Sequence, residues 1–149
     1  MDISIREAVD IDLNLILSMM GDFNTTFDYS FNSDQTSKNL EHFISSEDLG
    51  RLWLILGNGD AIGYIVLAYG FSFEYGGRDA FIDEFFVTES FRGKGYGKKV
   101  LTLVSKAASD LGVRAIHLEV ENDNEQAYSL YEQHGFQSQK RSLLTYKLK

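Results

Sequence analysis

The spacing of apolar and polar residues in the first half of the chain predicts a mixture of strands and helices. Residues 3–8 alternate apolar and polar side chains, as a half-buried strand does. Residues 10–20 and 33–47 place apolar side chains at helical spacing and predict two helices. Residues 51–56 and 61–69 are rich in aliphatic and aromatic residues and flank a Gly-Asn-Gly-Asp turn. This arrangement predicts a β-hairpin, because glycine and asparagine accept the positive φ of tight turns.

The pattern becomes helical after the fourth predicted strand, which covers residues 80–87. From Gly97 to Leu111, apolar residues recur every three or four positions, and Gly112 suits the left-handed position that ends many helices. Residues 115–120 then predict a short strand. A strand, a helix and a strand in succession require a parallel pair joined by a right-handed crossover.

The last quarter of the chain predicts one more helix and two more strands. Asp123 and Gln126 have the spacing of a capping box, and the helix that they open ends at Gly135. Residues 135–139 and 142–148 predict the final strands. The whole pattern predicts a mixed α/β (α+β) fold in a single domain, residues 1–149. Its central sheet is expected to be mostly antiparallel, with six to seven strands, one parallel pair and about four flanking helices.

Composition fits a globular protein and removes several kinds of chemistry. The chain is 44% hydrophobic and 24% charged, and its lack of cysteine excludes disulfides and a thiolate nucleophile. The three histidines are far apart and lack metal-ligand spacing, so no metal site is predicted. The N-terminus carries acids where a signal peptide carries bases, and no apolar run approaches the length of a membrane span. We expect a cytoplasmic protein that does not associate with membranes.

The net charge of −8 is distributed unevenly. Residues 1–91 contain 4 Lys and Arg against 16 Asp and Glu, whereas residues 92–106 contain 5 bases and no acid. The acidic surface disfavours nucleic acid as a partner and favours a cation, while the basic segment forms one positive island. Solubility alone explains the surplus of acid equally well.

The basic segment also contains three glycines, which indicates a phosphate site. A P-loop needs Gly-Lys-Ser/Thr, but tyrosine follows the Gly-Lys-Gly here, and the dinucleotide fingerprint needs a third glycine where Lys98 stands. What remains is Arg-x-x-Gly-x-Gly between a strand and a long helix, where backbone N–H groups and the helix dipole attract an anion. The residues of this candidate site are Arg92, Gly93, Lys94, Gly95, Tyr96, Gly97 and Lys98.

Two motifs in this sequence resemble those of the GNAT superfamily of acyl-coenzyme A-dependent N-acetyltransferases. Residues 92–97, Arg-Gly-Lys-Gly-Tyr-Gly, match in full the signature Arg/Gln-x-x-Gly-x-Gly/Ala that follows a strand. Residues 124–131, followed by Gly135 and Phe136, match the second signature, Asn-x-x-Ala-x-x-Leu-Tyr and then Gly-Phe. The resemblance covers most of the chain and implies a GNAT-type fold. One departure is Glu89, where many relatives carry proline.

The resemblance implies acetyl-CoA as co-substrate and assigns its contacts. Its pyrophosphate is expected on the backbone amides from Arg92 to Lys98. Its pantetheine arm is expected along the fourth strand, on the main chain of Phe85, Phe86 and Val87. A backbone amide of this strand then polarises the thioester carbonyl.

The second motif carries two further roles by the same resemblance. Asn124 contacts the cofactor arm, and Ala127 shares a helix face with it and with Tyr131. The hydroxyl of Tyr131 protonates the departing thiolate. Without the motif, this tyrosine would be interpreted as core packing.

A base is also required, because only the neutral amine attacks. Asp83 and Glu84 are two carboxylates in an otherwise apolar strand, and only one of them is expected to face the acceptor unless a bulge intervenes. Resemblance to polyamine-type acetyltransferases favours Asp83 slightly. A structural role in a hydrogen-bond network or at the surface remains open for each carboxylate.

The leading hypothesis is transfer of acetyl from acetyl-CoA to a primary amine by direct attack in a ternary complex, since no cysteine is present to form an acyl-enzyme. A small cationic amine is the favoured acceptor. The alternatives are acetylation of a protein N-terminus or lysine, and a non-catalytic acyl-CoA-binding sensor. Family members often dimerise, so a homodimer is also considered.

Overall fold

The computed structural model describes residues 1–149 and contains five strands and four helices. The strands are β1 (Ile3–Glu7), β2 (Gly50–Gly57), β3 (Asp60–Ser72), β4 (Gly77–Val87) and β5 (Ile116–His117). The helices are α1 (Leu13–Thr26), α2 (Ser33–Ser45), α3 (Tyr96–Asp110) and α4 (Glu125–His134). The chain divides into two compact units, Met1–Glu119 and Val120–Lys149. The single domain over residues 1–149 stays a prediction.

The five strands form one sheet in the order β1-β2-β3-β4-β5. All neighbours are antiparallel except β4 and β5, which are parallel and pair only at Ala80–Ile116 and Phe81–His117. The predicted mixed α/β fold with one parallel pair and four helices is confirmed. Because β5 ends so early, β4 has an unpaired edge from Ile82 to Val87.

A β-bulge interrupts β4 at its two carboxylates. Val66 of β3 lies opposite Glu84, whereas Leu67 lies opposite Ile82, so Asp83 is the extra residue. A bulge re-aims the side chains on one side of it relative to the other. The sequence does not reveal this shift, and the bulge changes which face each carboxylate occupies.

One face of the sheet forms a core with α1 and α2. Leu54, Tyr64, Val66 and Phe86 of the sheet are buried there with Ile16 of α1 and further residues of both helices. Burial of each large apolar side chain contributes roughly 1.5–3 kcal/mol. The core therefore fixes Tyr64 and Phe86 in place beside the bulge.

The last strands predicted from the sequence are absent from the structure. Residues 137–149 form neither helix nor strand, so the sheet has five strands rather than six to seven. Leu144, Tyr146 and Leu148 are each more than 80% exposed. Alternating side chains are not enough for a strand, because its backbone also needs a hydrogen-bonded neighbour.

The start of α4 also differs from its prediction by one residue. Asn124, not Asp123, caps the helix, and its Oδ1 accepts a hydrogen bond of 3.1 Å from the N–H of Ala127. Asparagine is as good an N-cap as aspartate, so the capping-box spacing of Asp123 and Gln126 was misleading. The predicted helix end is confirmed, because Gly135 has a φ of +117°.

Candidate active site

The candidate phosphate site lies between the end of β4 and the start of α3. A short 3₁₀ turn, Glu89–Phe91, follows the strand, and Gly93 and Gly95 then adopt φ values of +74° and +81°. A Cβ atom at either glycine would have no neighbouring atom within 4 Å. The two glycines thus combine a left-handed backbone with open space above it, as an anion cradle requires.

The N–H groups at the start of α3 have no acceptor within the protein. No side chain caps the helix at Gly95, and no backbone hydrogen bond uses the N–H of residues 95–98. Free N–H groups at the positive end of a 15-residue helix attract an anion. The donor set therefore fits a diphosphate such as that of coenzyme A.

The side chain of Arg92 connects this loop to the end of β4. Its Nε donates a 2.6 Å hydrogen bond to the carbonyl oxygen of Val87, and its guanidinium lies 5.3 Å from the centroid of the Phe86 ring. Lys94 and Lys98 are exposed on the same loop and the first turn of α3. The positive island of the sequence thus lies on the same segment as the free N–H groups.

The unpaired edge of β4 presents only part of its main chain. The N–H of Thr88 bonds the carbonyl of Ile62 on β3 at 2.8 Å. Because hydrogen-bonding directions alternate along an antiparallel strand, Phe86 turns its backbone groups toward β3 and Phe85 and Val87 turn theirs to the open edge. Of the three residues predicted to pair with a pantetheine arm, the edge therefore offers both backbone groups of Phe85 and the N–H of Val87, whose carbonyl already accepts from Arg92.

The two carboxylates of β4 lie in different surroundings. Asp83, the bulged residue, is exposed. Glu84 is partly buried, and its Oε1 accepts a hydrogen bond of 2.6 Å from the hydroxyl of Tyr64. The environment of Glu84 is the one that suits a tuned acid or base.

Burial raises the pKa of Glu84 above its ordinary value. The hydrogen bond from Tyr64 acts in the opposite direction, and the negative charge of Asp83 raises the pKa further. Burial also raises the pKa of Tyr64, as do Glu84, Asp83 and Asp22 of α1. Tyr64 therefore keeps its proton and acts as a donor to the carboxylate.

A second acidic side chain lies nearer the start of β4. Asp79 receives a 3.0 Å contact from Nε2 of His117, and the His117 ring lies 5.1 Å from those of Tyr75 and Phe81. In the register with β3, Asp79 and Phe81 before the bulge lie on the same face of the sheet as Glu84 and Phe86 after it. This is also the face of Tyr64. Nothing in the sequence singles out Asp79 and His117 as a pair.

The residues of the second motif belong to the unit Val120–Lys149. Asn124 and Ala127 bond each other at the start of α4. Tyr131 is partly buried, with its ring 5.7 Å from that of Phe136 in an edge-on arrangement. Burial raises the pKa of Tyr131 to about 12, so its hydroxyl stays protonated at neutral pH.

Tyr64 is the site residue that the sequence does not single out. It stands in an ordinary apolar strand, Ala-Ile-Gly-Tyr-Ile-Val-Leu, and resembles any core tyrosine. The only signal is its distance from Glu84 along the hairpin, which places the two residues near each other on adjacent strands. That signal is ambiguous, because one bulge changes the register.

The fold and the uncapped helix start describe an α/β protein with an anion site at the end of its fourth strand. Comparison with known families makes the class specific. The profile of the acetyltransferase (GNAT) family matches residues 16–136, which is most of the chain. The protein therefore belongs to the GNAT family of acetyltransferases. The predicted family is confirmed, and acetyl-CoA is the co-substrate typical of its members.

Three relatives show the range of similarity. An uncharacterised N-acetyltransferase, YycN, from Bacillus subtilis is 39% identical over 58% of this chain and 55% of its own length. The spermine/spermidine N(1)-acetyltransferase of B. subtilis is 36% identical over 53% of this chain and 54% of its own. The bovine thialysine N-epsilon-acetyltransferase is 28% identical over 91% of this chain and 84% of its own. The chain thus spans about half the length of the two bacterial relatives.

A solved structure agrees with the fold over almost the whole chain. It is an integron cassette protein from the mobile metagenome of Cole Harbour Salt Marsh, with 35% identity and a TM-score of 0.87. The match covers 97% of this chain and 90% of that protein. The GNAT-type fold predicted from the motifs is confirmed. None of the helices is long and apolar enough to cross a bilayer.

Proposed function

We propose that this protein is an N-acetyltransferase that transfers acetyl from acetyl-CoA to a primary amine of a small cationic molecule. The observation that carries this proposal is a partly buried carboxylate, Glu84, on a strand whose free edge leads directly to an uncapped helix start. The strand thus joins a candidate base to a candidate diphosphate site. The spermine/spermidine and thialysine acetyltransferases named above support an amine acceptor.

The charges around Glu84 favour a cation as acceptor. Asp83 and Asp22 both act electrostatically on the Tyr64–Glu84 pair, and the charges that act on this pair are all negative. Asp79 adds a carboxylate on the same strand. Such a field attracts an ammonium group, repels an anionic competitor and gives a neutral one no comparable attraction.

In the proposed reaction, Glu84 accepts the proton of the ammonium group through a water molecule. Bound acetyl-CoA supplies a thioester whose carbonyl carbon accepts the amine nitrogen as the carbon–sulfur bond breaks. Tyr131 donates its proton to the departing sulfur. The nitrogen loses two protons in all: one goes to Glu84, which releases it to water, and the second, lost as the amide forms, returns through solvent to Tyr131. The motif and the protonated state of Tyr131 support its role as acid. Direct transfer fits a chain without cysteine.

The cradle is tested by adding a methyl group at Gly95. We expect Gly95→Ala to weaken coenzyme A binding by about tenfold or more, because its Cβ fills the space above the free N–H groups and its φ of +81° disfavours alanine. Isothermal titration calorimetry with coenzyme A measures the change.

Gly112, at the other end of α3, offers a matched control. Its φ is +84°, and a Cβ there also has no neighbour within 4 Å. Gly112→Ala therefore imposes similar backbone strain without touching the cradle, and we expect its affinity for coenzyme A to match that of the wild type. Equal loss of affinity in both variants would show that backbone strain, not the cradle, is responsible.

The acceptor class is tested with amines that differ only in charge. We expect kcat/KM for a terminal diamine to exceed that for the alkylamine of the same length by at least about tenfold, because only the diamine keeps a second positive charge near the acidic groups. Thiol release measures the rate. A higher kcat/KM for peptides with a free N-terminus or lysine would instead favour protein acetylation.

A non-catalytic acyl-CoA-binding sensor would give a different result in the same assay. A sensor binds acetyl-CoA in the same cradle but releases no thiol with any amine of the panel. The partly buried, raised-pKa carboxylate argues for catalysis, since binding the diphosphate does not need it. The homodimer and the cytoplasmic location stay predictions.

A further inference from the structure

Tyr64 holds the candidate base from the neighbouring strand. It lies in the middle of β3, is 0% exposed, and its ring stacks on Phe86 with centroids 5.7 Å apart. The register places Tyr64 opposite Phe86, so its hydroxyl reaches diagonally to Glu84, two positions earlier on β4. Diagonal neighbours of this kind lie within reach of a tyrosine side chain.

A buried tyrosine hydroxyl on this strand does not need a carboxylate partner. Tyr69, five residues further along β3, has a buried hydroxyl with no hydrogen-bond partner at all. Tyr64, by contrast, makes a bond of 2.6 Å, which is short for a hydroxyl and typical of an ionised acceptor. The tyrosine that is paired is the one beside the bulge.

We propose that Tyr64 is a positioning residue that orients the Glu84 carboxylate toward the acceptor and stabilises its ionised form. This inference rests on the proposed role of Glu84 as base. The hydrogen bond comes from a ring that is itself packed against Phe86, so it favours one orientation of the carboxylate. Tyr64 acts only through Glu84 and contacts no substrate in this role.

The surrounding charges explain why such a donor is needed. Three elements contribute titratable groups: Tyr64 from β3, Asp83 and Glu84 from β4, and Asp22 from α1. Burial and Asp83 both favour the protonated form of Glu84, and a protonated carboxyl cannot accept the substrate proton. The hydrogen bond from the hydroxyl of Tyr64 opposes both effects and favours the ionised form of Glu84.

The test is the pH dependence of kcat/KM in Tyr64→Phe. This change keeps the ring and its stacking on Phe86 and removes only the donor. We expect the acidic limb of the profile to move to higher pH by about one unit, the size expected for losing a hydrogen bond to a charged group. At alkaline pH, where Glu84 is ionised in both proteins, kcat/KM should remain about tenfold below that of the wild type, because the carboxylate has lost the donor that orients it. A plateau equal to that of the wild type would show that Tyr64 does not orient Glu84.

Tyr69→Phe is the matched control, because it removes a buried hydroxyl from the same strand that bonds nothing. Its acidic limb should not move. If Tyr64→Phe folds poorly, substitution of 3,5-difluorotyrosine at position 64 gives a stronger donor without loss of volume, and the limb should then move to lower pH. Thermal unfolding of each variant separates a loss of stability from a change in the profile.

Glu84→Gln distinguishes failure of this inference from failure of the proposed function. If Glu84→Gln removes the acidic limb but Tyr64→Phe leaves it in place, Glu84 is the base and Tyr64 is merely structural. If Glu84→Gln itself keeps the limb, the proposed base is wrong. In the double variant, adding Tyr64→Phe to Glu84→Gln should cause no further loss of kcat/KM, because the effect of Tyr64 passes through the carboxylate.

Discussion

Glu84→Gln is expected to lower kcat/KM at neutral pH by about 10²–10³-fold, the usual contribution of a positioned general base. Glutamine keeps the shape of the side chain and can still accept the hydrogen bond from Tyr64, so the fold should survive. What it lacks is a carboxylate that takes a proton. Steady-state kinetics with saturating acetyl-CoA measure the loss.

The sign of the pH dependence follows from the direction of the pKa shift. Burial raises the pKa of Glu84, so the wild-type rate should rise with pH through a value above that of an ordinary glutamate and then level off. Glu84→Gln should remove this rise, because nothing is left to ionise at that position. A profile of unchanged shape in this variant would assign the acidic limb to another group.

Asp83→Asn is the control for this prediction. Asp83 is adjacent in sequence but exposed at the bulge, and removal of its charge relieves one of the influences that raise the pKa of Glu84. We expect a loss of less than about tenfold and an acidic limb displaced slightly to lower pH. A larger loss in Asp83→Asn than in Glu84→Gln would return the base to Asp83, which the resemblance to polyamine-type acetyltransferases favours.

Tyr131→Phe is expected to lower kcat by about 10²-fold, because the departing sulfur then lacks a positioned acid. The pKa of Tyr131 is raised to about 12, so the wild-type residue stays protonated up to strongly alkaline pH. The loss should therefore be the same at every pH between about 7 and 10, with no change in the shape of the profile. The edge-on contact with Phe136 does not need the hydroxyl and should persist.

Tyr128→Phe on the same helix provides the comparison. Tyr128 is 45% exposed, and its hydroxyl contacts Oγ of Ser138 at 3.2 Å. It loses one exposed hydrogen bond, and we expect activity within about twofold of the wild type. Similar losses in Tyr128→Phe and Tyr131→Phe would indicate a general weakening of α4 rather than acid catalysis.

The family and the open glycine loop before α3 could be predicted from the sequence because both depend on local chemistry. Gly93 and Gly95 occupy positions where the chain adopts positive φ, and this preference can be read from residue type alone. The start of α3 can be predicted from the helical spacing of its apolar residues, and the lack of a capping side chain at Gly95 is visible in the sequence. The hairpin between β2 and β3 is local in the same way, since Asn58 and Gly59 determine the turn.

The pairing of strands could not be predicted with the same success. Residues 142–148 alternate as a strand does, yet they lie outside the sheet, because pairing depends on a distant partner. Likewise, β5 has only two paired residues out of the six that its sequence suggests. Strand length is decided by the neighbouring strand, and no local pattern contains that information.

The sequence by itself determined the composition of the site: two adjacent carboxylates, a glycine-rich basic loop and a tyrosine in a family motif. The tertiary structure alone decided how the two carboxylates differ. The extra residue in β4 leaves Asp83 in solvent and turns Glu84 toward the hydroxyl of Tyr64, twenty residues away in the chain. The physical reason is that side-chain direction in a strand has a period of two, so a single inserted residue reverses it, and only the register with the neighbouring strand shows where the insertion falls.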